Sequence, residues 1–105
     1  MNEVLLHLCR NNVSIMNCGI PIPSTLLSEV CQMSLYKTRK ELNRLRDIGL
    51  TRVECYCHVG EYNNCLIRGW VITEEAKKTE EYKKAWEEER QAVKKSFGFD
   101  IGECI

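Results

Sequence analysis

SLYKTRKELNRLRDIGL, residues 34–50, is the stretch on which the reading of this chain turns. With Ser34 as N-cap, apolar or small residues recur at Leu35, Thr38, Leu42, Leu45 and Gly49, in steps of three and four that draw one stripe along an α-helix. At roughly 100° per residue, Tyr36, Lys37, Lys40 and Arg44 cluster on the opposite side. One face is therefore suited to packing and the other to solvent or a polyanion. Both ends are coded locally. The serine hydroxyl can accept an early backbone N–H, and Gly49 can take the left-handed conformation that stops a helix.

Working outward, Leu50 to Val59 alternates as a strand does, with Val53, Cys55, Cys57 and Val59 on one side and Arg52, Glu54, Tyr56 and His58 on the other. GEYNN supplies a turn, and Cys65 to Ile72 returns with β-branched and aromatic residues. Upstream, Val4, Leu5 and Leu8 mark a short amphipathic helix, and Asn11, Asn12, Gly19, Pro21 and Pro23 break up the segment after it. A second helix is predicted from Ser24 as cap, with Leu26, Leu27, Val30 and Cys31 on its buried side. Beyond the hairpin, Thr73 is placed to cap a last helix whose first turn holds Glu74 and Glu75, acids that the helix dipole favours there. Running to Phe97 it would be ~35 Å long, more than a small domain needs to cover its own core. Its apolar side, Tyr82, Ala85, Trp86, Ala92, Val93 and Phe97, then suits a partner helix. The alternative is that it folds back onto the first helix of the same chain.

Composition limits the surroundings. A chain of 105 residues with 44% hydrophobic content suits one domain with one modest core. Lysine plus arginine equals aspartate plus glutamate at 15 each, so total charge gives no argument for nucleic acid. Distribution does. Between Ser34 and Val53, Lys37, Arg39, Lys40, Arg44, Arg46 and Arg52 face only Glu41 and Asp47. No apolar run approaches the roughly 18 residues that span a bilayer, and MNEVLLHLCR lacks a signal-peptide layout. The expectation is a soluble, cytoplasmic protein with no membrane partner. Its seven cysteines are odd in number, which favours free thiols over a disulfide framework.

The order helix, helix, basic helix, hairpin and long helix, with the run S-x-x-K-T-R-K-x-L-x-x-L-x-x-x-G-L and V-I-T before the last helix, resembles winged-helix bacterial transcriptional regulators of the multiple-antibiotic-resistance and phenolic-acid types (MarR/PadR-like). The likeness spans residues 1 to 97. It implies an α+β, mainly α fold: a winged helix-turn-helix DNA-binding domain over 1–72 with a two-stranded wing, a C-terminal dimerisation helix over 73–97 and a tail over 98–105. It further implies a sequence-specific regulator that binds double-stranded DNA as a homodimer, with the recognition helix 34–48 in the major groove. By position, Tyr36, Lys37, Lys40 and Arg44 fall at the groove and Arg52 and Arg68 near the wing. Tyr82, Trp86, Val93 and Phe97 fall at the dimer interface. The turn GEYNN carries an acid and no cation, which leaves the helix to supply most of the contact.

Other residues invite competing readings. Cys55, Cys57, His58 and Cys65 are of the types zinc prefers, but C-x-C-H differs from the common knuckle spacing, and strand alternation turns His58 away from Cys55 and Cys57. A small hydrophobe on the dry face of the hairpin is the simpler role for these cysteines. A thiol- or metal-responsive sensor, or a protein–protein interaction module, are the alternative functions on the same fold. Trp70, Tyr82 and Trp86 could line a pocket for a small-molecule effector, although packing is the commoner use of such residues. His7 reads as a helix-surface or core residue. No catalytic motif, cofactor or resident metal is expected.

Overall fold

The computed structural model describes residues 1–15, 19–59 and 64–98, with side chains for all of these except 56–59 and 64–67. In chain order the elements are α1 (Glu3–Val13), α2 (Ser24–Cys31), α3 (Leu35–Asp47), β1 (Thr51–Val59), β2 (Asn64–Ile72), a 3-10 turn (Glu75–Lys78) and α4 (Glu80–Phe97). The fold is α+β and mainly helical, and the two strands form an antiparallel hairpin.

Helix α1 starts where Asn2 Oδ1 accepts the Leu5 N–H at 2.9 Å and buries Val4, Leu5, Leu6, Leu8 and Cys9. It runs on through Asn11 and Asn12, two residues expected to break it. Asn11 is kept helical because its side chain turns outward: Nδ2 donates to the Ile20 carbonyl at 2.7 Å and so does not compete for the helix backbone. The segment Gly19–Pro23 then crosses as an extended strap. Its Ile22 bridges Trp70 through two backbone hydrogen bonds of 3.1 and 2.8 Å.

On α2, Pro23 is the N-cap and Ser24 the first helical residue, and Gln32 ends the helix in the left-handed region at φ 54°. Leu27 and Ser28 are buried, but Leu26 and Val30 are 49% and 51% exposed, not inward as expected. The helix has two turns. One line along it, through Leu27, meets the core, and Leu26 and Val30 form an i,i+4 pair on the neighbouring line.

Helix α3 follows the periodicity closely. Ser34 Oγ accepts the Lys37 N–H at 3.1 Å, Thr38, Leu42 and Leu45 are buried, and Gly49 at φ 85° closes the turn. Thr38 satisfies its buried hydroxyl by donating to the Ser34 carbonyl at 3.0 Å. Register in the hairpin runs from Thr51 opposite Ile72 to Val59 opposite Asn64. Among the hairpin residues whose side chains are described, Thr51, Val71 and Ile72 are buried and Trp70 packs against the core. Cys55, expected on a dry face of the hairpin, is exposed, and the side chains of Cys57 and Val59 lie outside the described residues.

The last helix is shorter than its sequence suggests. Thr73 donates its hydroxyl to the Gly49 carbonyl at 2.6 Å instead of capping, and Ala76 is driven fully into the core by the 3-10 turn. Thr79 is the cap, accepting the Tyr82 N–H at 3.3 Å, which leaves α4 18 residues, ~27 Å. Helix α4 folds back on α1, with Ala85 and Val93 buried and Arg10 donating to Glu88 at 2.9 and 3.2 Å. Of the four residues expected at a dimer face, Val93 is 2% exposed and Tyr82 packs against the core. Trp86 is half-buried and Phe97 exposed. Among the described residues no helix is long and apolar enough to cross a membrane.

The α1–α4 junction makes stability acid-sensitive. Burial, and then Arg10, lower the pKa of His7 from its ordinary 6.5 against the opposing pull of Glu3 and Glu88. The unfolded chain then takes up the proton first, so stability is full above about pH 6.5 and declines as pH falls towards the folded-state value. The hydrogen bond from Arg10 lowers Glu88, and that from Arg44 lowers Glu41, so the decline extends below the ordinary carboxylate value of 4.5. Thermal midpoints measured against pH should be flat above neutrality and fall below it, and His7→Gln should remove the upper part of the fall. A midpoint that rose on acidification would contradict this sign.

Candidate nucleic-acid interface

The side of α3 opposite Thr38, Leu42 and Leu45 is open. Tyr36 is 74% exposed, and Lys37 and Lys40 stand beside it with no ion-pair partner among the described residues. Arg44 lies on the same flank, but its charge is compensated. Its Nε donates to Glu41 Oε1 at 3.0 Å, its Nη2 donates to the same oxygen, and Asn2 Nδ2 adds a third donor there. Those hydrogen bonds, Arg44 foremost, hold the Glu41 carboxyl below the usual range. On β1, Arg52 Nη2 is 2.7 Å from Glu54 Oε1. Arg68 is exposed on β2, on the opposite flank of α3.

That opposite flank holds residues the helical wheel does not single out. A cleft of about 570 Å³ lies between the start of α2, α3 and the hairpin, and Arg39, Asn43, Arg46, Arg68 and Trp70 line it. Arg39 is oriented by donating its Nε to Ser24 Oγ at 3.3 Å. Arg39 and Arg46 are seven residues apart, two helical turns, so they share one line on α3. The spacing is present in the sequence, but the line becomes a wall only on folding, when β2, paired with β1 and bridged by Ile22, sets Arg68 and Trp70 on the other side.

A second, apolar groove of about 660 Å³ lies between α1, α2, α4 and the strap, with Ile20, Leu26, Val30 and Ala92 on its walls and Arg10 and Glu88 at its edge. Neither cleft brings Trp70, Tyr82 and Trp86 together. Trp70 belongs to the cationic one, and Tyr82 packs against the core.

Burial, with Glu81 adding, pushes the Cys9 thiol up to about 12, and burial followed by Glu3 raises Cys31. These thiols stay protonated near neutrality and are poor nucleophiles. In native protein at pH 8, a maleimide reagent should label exposed Cys55 at least tenfold faster than Cys9. Equal rates would show that α1 opens readily. No group of three metal-binding side chains occurs among the described residues. The side chains of Cys57, His58 and Cys65 lie outside them, as do residues 60–63 of the expected wing turn. The backbone register sets His58 opposite Cys65, one position out of phase with Cys55 and Cys57.

Comparisons with protein-family models, with curated proteins and with solved structures found no match to this chain.

Proposed function

We propose that this chain is a winged helix-turn-helix transcriptional regulator of the cytoplasm that reads double-stranded DNA through α3 and acts as a homodimer. The observation that carries the reading is the division of α3 into two faces. Thr38, Leu42 and Leu45 fix its inner side in the core, and Tyr36, Lys37 and Lys40 project from the outer side, the two lysines with no ion-pair partner among the described residues. A helix held this way can enter the major groove, where lysine donors meet guanine acceptors or phosphate oxygens, and the hairpin beside it is placed to follow the flanking backbone. One short helix reads few base pairs. Specificity is expected from two copies whose α3 helices lie one DNA turn apart, ~34 Å. The second copy is proposed to meet α4 at Trp86, which is half-buried, and Phe97, which is exposed.

Selection of fragments from random duplex DNA supplies the ligand, and the paired variant Lys37→Glu, Lys40→Glu tests the face. Removal of two positive charges and the arrival of two negative ones should weaken binding to the selected duplex more than about tenfold at matched salt. A folded variant with unchanged affinity would sink the reading. Sedimentation of Trp86→Ala, Phe97→Ala against the parent checks the dimer, which should shift towards monomer.

A further inference from the structure

Three arginines on two elements line one cleft, and among the described residues none of Arg39, Arg46 and Arg68 is ion-paired. Of the three arginines that sequence position favours, Arg44 and Arg52 are each held by a carboxylate, and Arg68 is one of those in the cleft. Like charges gathered without acids repel one another, and an anion that enters between them relieves that repulsion. The cleft is also equipped to orient its occupant. Asn43 adds an amide, Trp70 adds an indole, and the Arg39–Ser24 bond fixes one guanidinium while leaving its other N–H groups to donate.

The seven-residue step from Arg39 to Arg46 carries the charges ~10 Å along α3. Charges spread along the helix in this way suit a strand with repeating phosphates better than one tetrahedral anion. We infer that the phosphodiester backbone of the bound DNA runs through this cleft between α3 and β2, with Arg39, Arg46 and Arg68 donating to its phosphates. The duplex thereby extends from the outer face of α3 across its hairpin side. This rests on the DNA-reading proposal and adds to it the path of the backbone.

The test is the salt dependence of binding to a selected duplex, read as the slope of log affinity against log salt. Each phosphate that the protein no longer neutralises lowers the magnitude of that slope by about 0.9, so R39Q/R46Q/R68Q should lower it by between two and three. Single R39Q and R68Q, exposed changes that keep the fold, should each lower it by about 0.9. The ion-paired residues supply the contrast: R44Q/R52Q should move the slope less than R39Q alone. A triple variant that melts like the parent but keeps the parental slope overturns the cleft while α3 remains the reading head. A parent chain that binds no duplex at low salt overturns both. Inorganic phosphate, titrated against chloride at equal ionic strength, separates the sources of the anion. It should displace the duplex no better than chloride, and selective displacement would make the cleft a site for a single anion and end the backbone proposal.

Discussion

Gly69→Ala should cost on the order of 3 kcal/mol of stability and lower the thermal midpoint by roughly 10–20 °C. A Cβ built at Gly69 stands 2.4 Å from Pro21 Cβ, 2.7 Å from the Pro21 carbonyl carbon and 2.9 Å from the Ile22 nitrogen. Two of those three neighbours are backbone atoms, and the Ile22–Trp70 bridge pins the strap in place, so no side-chain rotation makes room. The strap must lift away from β2. Its two bridging hydrogen bonds would weaken with it, and Trp70 would lose its seat beside Arg68. Gly49→Ala makes the useful comparison. At Gly49 φ is 85° and nothing lies within 4 Å of the added carbon, so the cost is only left-handed strain, about 1–2 kcal/mol. Differential scanning calorimetry of both variants should rank Gly69→Ala as the worse. Equal losses, or a Gly69→Ala midpoint within a few degrees of the parent, would mean that the strap does not press on β2.

Leu42→Ala should destabilise by about 2–5 kcal/mol, because the side chain is fully buried in the core cluster and its truncation leaves a cavity there. The effect reaches the hairpin as well, since Thr51 Oγ1 donates to the Leu42 carbonyl at 3.2 Å. Two residues earlier, Lys40→Ala faces solvent and should change stability by less than about 0.5 kcal/mol. Urea midpoints at constant slope would read both. A Leu42→Ala midpoint close to that of Lys40→Ala would place the packed face of α3 elsewhere on the helix.

Much of this architecture is legible in the sequence because it is written in short-range chemistry. Ser34, the three-and-four spacing of Thr38, Leu42 and Leu45, and Gly49 specify α3 within a single stretch of chain, and the alternation from Thr51 and the return to Ile72 specify a hairpin. Expectation and structure part where a local signal meets a distant partner. Asn11 reads as a breaker, but its amide is satisfied by Ile20. Thr73 reads as a cap but gives its hydroxyl to Gly49, and the cap passes to Thr79. Leu26 and Val30 have the composition of buried residues, yet a two-turn helix offers the core only one line.

The candidate site divides in the same way. Tyr36, Lys37 and Lys40 are placed outward by helical period alone, since any surface that packs on Thr38, Leu42 and Leu45 must leave them exposed. Two of the cations are compensated by near neighbours in sequence, Arg44 by Glu41 and Arg52 by Glu54, whereas Arg39, Arg46 and Arg68 come to share a cleft only in space. A helical wheel ranks residues by angle from one axis, and the far wall of the cleft belongs to another element, β2, which is paired with β1 and bridged by Ile22. Backbone propensity and periodicity, which are local, are therefore enough to specify most of the elements, their order and the outer face of α3. The strap, the fold-back of α4 onto α1 and the cationic cleft arise only on folding, because each depends on which surfaces meet after the chain has closed.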